Sequence, residues 1–123
     1  MIIDTSAIVA VIKREEDSEF FYQKMLDADS VKVSTATLVE LELVLRGAPQ
    51  IADLLTEVNA IELPVDSTHL YWARYAVHNF ARGSGSAAKL NLGDCFSYAA
   101  SRAAGEPLLF KGTDFGSTDV LVA

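Results

Sequence analysis

Cysteine, long apolar runs and a basic leader are scarce or missing in this sequence of 123 residues. Its only cysteine, Cys95, has no partner for an internal disulfide bond. No apolar run approaches the roughly 20 residues that a membrane-spanning helix requires, and the first residues lack the basic and then apolar plan of a signal peptide. These shortages predict a protein of the reducing cytoplasm that makes no contact with a membrane.

Basic residues are also few. The sequence has 10 lysines and arginines against 17 aspartates and glutamates, which gives a formal net charge of -7. A broad basic patch that neutralises nucleic-acid phosphates is therefore not expected, and chemistry on nucleic acid would need added cations. Hydrophobic residues make up 50% of the chain, which together with its length is typical of one globular domain over residues 1–123.

Short apolar strands alternate with helices along the chain. The β-branched pair Ile2 and Ile3 forms the first predicted strand. The last predicted helix is capped by Asn91 or Gly93 and ends near Ala104. The other predicted strands lie at 31–34, 60–63, 106–110 and 120–122, and the other helices at 7–12, 17–28, 36–46, 49–58 and 67–80. This alternation predicts an α/β fold with a central parallel sheet, covered by helices on both faces and joined by right-handed crossovers.

Two aspartates closely follow predicted strands. Asp4 comes after the first strand, and Asp114 comes after the strand that ends near Phe110. Because ligands bind outside the carboxyl ends of strands in open α/β sheets, we expect both side chains at one edge of the sheet. An equally open alternative for Asp4 is that it only caps the following helix, beside Thr5 and Ser6.

Two glutamates lie in the third predicted helix. Residues two apart in a helix point in nearly opposite directions, so Glu40 and Glu42 cannot serve one site. Arg46 follows Glu42 by one turn and is expected to form a surface ion pair with it, whereas Val44 has that position relative to Glu40. Glu40 is therefore the predicted functional acid.

A fourth acid, Asp94, lies in the first turn of the last predicted helix. There the free backbone N–H groups and the helix dipole favour an ionised carboxylate, and this effect alone is an alternative to a functional role. The neighbouring Cys95 has no recognisable histidine partner in the sequence. We interpret it as a small buried residue rather than a nucleophile.

The four acids Asp4, Glu40, Asp94 and Asp114 are expected to meet at this edge of the sheet. Clustered carboxylates repel one another unless a divalent cation neutralises them, and ligation by oxygen alone selects Mg²⁺ or Mn²⁺ over Zn²⁺. A cation held in this way polarises phosphate oxygens and activates water for in-line displacement. The sequence thus predicts phosphoryl chemistry, with these acids as metal ligands and catalytic residues.

Four motifs resemble those of one family. They are Ile-Ile-Asp-Thr-Ser-Ala at residues 2–7, Ser-x-x-Thr-Leu-Val-Glu ending at Glu40, Leu-Asn-Leu-Gly-Asp-Cys around Asp94, and Leu-Leu-Phe-Lys-Gly-Thr-Asp-Phe with a Thr-Asp pair ending at Asp119. Together they span nearly the whole chain. They are similar to the motifs of PIN-domain ribonucleases of the VapC toxin type.

The resemblance implies a three-layer α/β/α domain and an endoribonuclease that uses Mg²⁺, or Mn²⁺ as a substitute. It implies the toxin of a type II toxin–antitoxin pair, with RNA as substrate and a VapB-type antitoxin as partner. It also implies a homodimer, and a heterotetramer or larger complex with the antitoxin. By position, Asp4, Glu40, Asp94 and Asp114 match the family's acidic set, and Asp119 matches a further acidic position of less definite role.

The sequence departs from the family pattern at two places. Residues 83–89 lack the His-Pro often found before the Asn-x-Gly-Asp motif, and Thr113 stands where an acidic or amide residue is common. Both departures bear on which RNA is accepted. One alternative function is a receiver-like Mg²⁺-binding phosphoacceptor module. Such a module has a lysine after its last strand, and Lys111 has a similar position in this sequence. The other is a catalytically inactive PIN scaffold.

Overall fold

Four parallel strands form the centre of the molecule, which a computed structural model describes over residues 1–123. The strands are β1 (Ile2–Ile3), β2 (Lys32–Ser34), β3 (Ile61–Leu63) and β4 (Leu108–Leu109). They lie in the order β3-β2-β1-β4, and every neighbouring pair is parallel. The first strand is therefore internal, and Asp4 follows it near the middle of the sheet edge.

Six helices connect and cover these strands. They are α1 (Thr5–Ile12), α2 (Ser18–Asp27), α3 (Thr35–Val44), α4 (Gln50–Glu57), α5 (Ser67–Phe80) and α6 (Leu92–Ala104). A short 3-10 helix, Asp114–Ser117, follows β4. No helix of the structure combines the length and the apolar character that crossing a membrane requires.

The sheet separates two hydrophobic cores, because neighbouring residues of a strand point to opposite faces. Ile3 and Leu109 lie in the core that packs against α1, α2 and α4, whereas Ile2 and Leu108 lie in the core against α5 and α6. Burial on both faces also explains why these strands are continuous apolar runs. The predicted α/β fold, with helices on both faces of a parallel sheet, is confirmed.

Helices α5 and α6 pack side by side in antiparallel directions. The guanidinium of Arg102 lies 4.4 Å from the centre of the Trp72 ring, and Tyr75 stacks on Tyr98 with ring centroids 6.4 Å apart. The end of α5 therefore lies beside the start of α6. The loop that joins the two helices is next to the first turn of α6, which carries Asp94.

Several details of the sequence prediction are wrong near chain turns. Residues 120–122 form no strand, and only Val122 makes a bridge to Leu108. The two segments share one pair of hydrogen bonds, from the Leu108 N–H to the Leu121 carbonyl and from the Ala123 N–H to the Leu108 carbonyl. Helix α3 ends at Val44, and Arg46 beyond it adopts a left-handed backbone with φ 52°. The predicted ion pair between Glu42 and Arg46 is absent from the five that the structure contains.

Candidate active site

Asp4 is buried at the end of β1, with 3% of its surface exposed. Its Oδ2 accepts hydrogen bonds from the backbone N–H of Ser6 at 2.9 Å and from the Ser6 hydroxyl at 2.6 Å. Its Oδ1 accepts a hydrogen bond from the Ser97 hydroxyl at 2.6 Å. Asp4 does cap α1, but capping alone does not account for a buried carboxylate that also binds a side chain of α6.

Glu40 reaches the same region from α3. The Thr5 hydroxyl donates a hydrogen bond to Glu40 Oε1, and a Cβ placed on Gly93 would lie 1.8 Å from Glu40 Oε2. The Glu40 carboxylate thus occupies the space that a side chain at residue 93 would fill. Glu42 is exposed and lies near Gly47 at the far end of α3, so the two glutamates diverge as helix geometry predicts.

Asp94 begins α6 as part of a capping box. Its Oδ2 accepts a hydrogen bond from the N–H of Asn91 at 3.0 Å, and its own N–H donates to Asn91 Oδ1 at 2.9 Å. Burial, together with the negative charges of Asp4, Asp114 and Glu40, raises the pKa of Asp94 to about 6, although the bond from Asn91 acts in the opposite direction. The four acids therefore lie close enough to share one electrostatic environment.

The two acids after β4 have different surroundings. Asp114 is exposed at the start of the 3-10 helix, and its charge acts on Asp94. The carboxylate of Asp119 instead accepts hydrogen bonds from the Tyr98 hydroxyl at 2.8 Å and from Arg102 Nη1 at 3.1 Å. These partners lie one and two turns further along α6 than Asp94. Asp119 therefore fastens the end of the chain to α6 and is not part of the four-acid group.

No basic side chain forms an ion pair with the four acids, since the five ion pairs of the structure involve other residues. The Nζ of Lys111 pairs with Glu15 at 3.2 Å and with Asp17 at 2.9 Å. A receiver-like site would use this lysine at the acids, so its position argues against that alternative. The negative charge of the cluster remains available to a bound cation.

The donor set suits a hard divalent cation, because Mg²⁺ and Mn²⁺ prefer carboxylate oxygens. As the side chains are arranged, no three of them converge closely enough to hold one ion. Glu40 and Asp94 each direct one oxygen to a protein donor and keep the second oxygen for a metal. Both oxygens of Asp4 accept hydrogen bonds, but Oδ1 accepts only one and keeps a lone pair that can bind metal. The residues therefore fit a metal by chemistry and by charge.

Two hydroxyl residues that support Asp4 were missed by the sequence analysis. Ser97 is fully buried, and its hydroxyl lies 3.3 Å from that of Thr37 as well as bonding to Asp4. Ser6, which the sequence predicts only as a helix cap, also accepts a hydrogen bond from the N–H of Lys111 at 2.9 Å and so ties the segment after β4 to the same turn. A serine three residues after Asp94, on a largely buried helix, was the signal for Ser97, because residues at that spacing share a helix face.

The parallel sheet, with acidic residues near the carboxyl ends of its strands, agrees with the family that the sequence matches. The sequence matches the profile of the PIN domain over residues 1–121, and the chain belongs to that family. Ribonuclease VapC28 of Mycobacterium tuberculosis is 40% identical over 126 residues, which cover 98% of this chain and 95% of that protein. Ribonuclease VapC42 of the same species is 38% identical over 126 residues, with 98% and 96% covered.

A solved structure shares the fold. A chain of the toxin–antitoxin complex from Klebsiella pneumoniae matches with a TM-score of 0.73 and 13% identity, covering 99% of this chain and 95% of that chain. At this low sequence identity, the similarity shows a shared fold and nothing more. The resemblance to VapC-type PIN domains that the sequence motifs indicated is confirmed by the curated relatives and by this architecture.

Proposed function

We propose that this chain is an endoribonuclease of the VapC type and the toxin of a toxin–antitoxin pair. One observation carries the proposal. Burial and the negative charges of Asp4, Asp114 and Glu40 raise the pKa of Asp94, and no ion pair with a basic side chain neutralises the four acids. Relatives named as VapC ribonucleases support RNA as the substrate.

The proposed cofactor is Mg²⁺, with Mn²⁺ as a substitute, and the four carboxylates would hold it after their side chains turn towards the ion, since no three of them converge as arranged. The bound cation supplies charge neutralisation at the phosphate and activation of water. Among the proposed ligands, Asp4 has the most fixed carboxylate, because three donors from two elements bond to its oxygens. Asp114 is the most exposed of the four and is therefore the most accessible to an entering substrate.

A VapB-type antitoxin is the proposed protein partner, and the toxin–antitoxin complex with the same fold supports this assignment. We infer that the antitoxin places an arginine on the four acids, since the planar guanidinium forms paired hydrogen bonds with carboxylates and keeps its charge when desolvated. Excess Mn²⁺ should then weaken the complex. A homodimer, and a heterotetramer or larger assembly with the antitoxin, are proposed on the family resemblance.

Incubation of the purified chain with total RNA tests the proposed activity. We expect cleavage with Mg²⁺ or Mn²⁺ and none after addition of EDTA. A parallel incubation with labelled acetyl phosphate tests the receiver-like alternative, which predicts a phosphorylated protein. A protein that neither cleaves RNA nor accepts phosphate would be an inactive scaffold and would contradict the proposal, and cleavage in EDTA would contradict its metal dependence.

A further inference from the structure

The positive charge of this acidic chain is unevenly distributed. Between Ser67 and Gly93 there are three cations, Arg74, Arg82 and Lys89, and no aspartate or glutamate, although the net charge of the whole chain is -7. This segment forms α5 and the loop that leads into α6. The acid cluster therefore lies next to the longest stretch of the chain that is free of acidic residues.

The loop over residues 81–90 is fixed to the hairpin of α5 and α6. The N–H of Leu90 donates to the carbonyl of Phe80 at 2.9 Å, and the N–H of Arg82 donates to the carbonyl of Leu90 at 3.0 Å. Ala88 and Leu90 are each 1% exposed and belong to the core beneath the hairpin. The polar residues of this loop are thus held in place by two buried anchors.

The backbone of two basic residues lies close in the chain to Asp94 as a result. Leu90 is followed by Asn91, whose N–H donates to the Asp94 carboxylate at 3.0 Å. Lys89 precedes Leu90, and the backbone N–H of Arg82 donates to the carbonyl of Leu90, so both residues are carried by the backbone that leads directly to Asp94. Both side chains are exposed, and neither belongs to an ion pair.

The backbone of Lys89 is unusual. Its φ of 53° is left-handed, which is uncommon for a residue other than glycine. The other such residues, Arg14, Arg46 and Asn59, each lie two positions after a helix end, where this conformation is common. Lys89, by contrast, does not follow directly after a helix, since α5 ends at Phe80. It lies between the buried residues Ala88 and Leu90, and uncommon backbone conformations of this kind concentrate at functional sites.

We propose that Arg82 and Lys89 bind the phosphates of single-stranded RNA and hold the strand at the acid cluster. The inference rests on the proposed ribonuclease function and explains how a chain with net charge -7 binds a polyanion. Contacts to phosphate position a strand without reading its sequence. A flexible strand can be held at two points and bend away from the acidic surface. A duplex carries one charge per about 1.7 Å of its axis and would bring many more phosphates against that surface.

Binding of a short fluorescein-labelled oligouridylate in EDTA, measured by fluorescence anisotropy, tests the proposal independently of cleavage. Arg82→Gln combined with Lys89→Asn should weaken binding by roughly tenfold or more at about 50 mM salt. The slope of log affinity against log salt should fall by about 1.4, because each lost phosphate contact removes about 0.7. Asparagine is chosen at position 89 because it tolerates the left-handed backbone.

A matched control removes one positive charge elsewhere and is compared with Lys89→Asn alone, which should lower the salt slope by about 0.7. Lys24 is exposed and lies near Met1 and Pro107, at the opposite end of the strands from the acids. Lys24→Gln should leave the affinity and the salt slope unchanged. Arg82→Lys should keep the slope, since it retains the charge. A duplex of the same length should bind more weakly than the single strand.

Three results would overturn the proposal: wild-type binding that does not depend on salt, loop variants that bind like wild type, or an equal loss in Lys24→Gln. When cleavage is assayed with Mg²⁺, the double variant should raise KM and leave kcat nearly unchanged. Cleavage with unchanged KM in the double variant would refute the role of the loop alone. Loop-dependent RNA binding without cleavage under any metal would instead refute the ribonuclease function.

Discussion

Replacement of Asp94 by asparagine should stabilise the protein above neutral pH in the absence of divalent metal. The folded-state pKa of about 6 lies above the ordinary value of 3.8, so folding favours the protonated form. The associated stabilisation is present below pH 3.8 and is lost as the pH rises through 6. This pKa difference corresponds to about 3 kcal/mol, which we reduce to about 1 to 2 kcal/mol because the side chain is only partly buried.

The free energy of unfolding of Asp94→Asn and wild type, measured by urea denaturation in EDTA from pH 4 to pH 8, checks this prediction. Asparagine keeps a side-chain oxygen for the N–H of Asn91, so the capping box is retained. The gain should be near zero at pH 4 and reach its full size by pH 8. Glu42→Gln, which removes one charge from an exposed site, should show no such dependence. A gain that is equal at both ends of the range, or a loss at pH 8, would refute the reasoning. Addition of Mg²⁺ should stabilise wild type more than Asp94→Asn.

The remaining predictions concern residues around Asp4. Glu40→Gln should slow RNA cleavage at least about tenfold while Glu42→Gln changes it little, and the reverse ranking would show that the wrong glutamate was assigned. Gly93→Ala should leave the fold intact, as judged by circular dichroism, but slow cleavage, because the added Cβ displaces the Glu40 carboxylate; an unchanged rate would argue against Glu40. Ser97→Ala should cost about 1 to 2 kcal/mol in urea denaturation through the lost bond to Asp4, and unchanged stability would show that this bond contributes little.

The features that local chemistry determines were predictable from the sequence. Ile2 and Ile3 are β-branched, Asp66 and Asn91 are favourable N-cap residues, and Gly105 ends α6 with a left-handed backbone. The alternation of strands and helices then places the carboxyl ends of the strands along one edge. That edge is where Asp4 lies.

The contacts that depend on distant parts of the chain were not predictable. The bond from Ser97 to Asp4 joins residues 93 positions apart. The spacing from Asp94 places Ser97 on the same helix face but does not identify Asp4 as its partner. The ion pairs of Lys111 with Glu15 and Asp17 likewise join residues that are far apart in the sequence. Burial of Cys95, which raises its pKa to about 11, does agree with its interpretation as a structural residue. The helix end near Arg46 was misplaced because a left-handed residue after a helix has no strong signal when it is not glycine.

We propose that Asp4 and the other three acids form one metal-dependent site that cuts RNA. Single-turnover cleavage of RNA in Mg²⁺ by wild type and by Asp4→Asn tests it most directly, with circular dichroism to verify that both proteins are folded. The substitution removes the buried charge and keeps the size of the side chain. We expect Asp4→Asn to slow cleavage by at least about a hundredfold. A folded Asp4→Asn protein that cuts RNA at the wild-type rate would contradict this proposal.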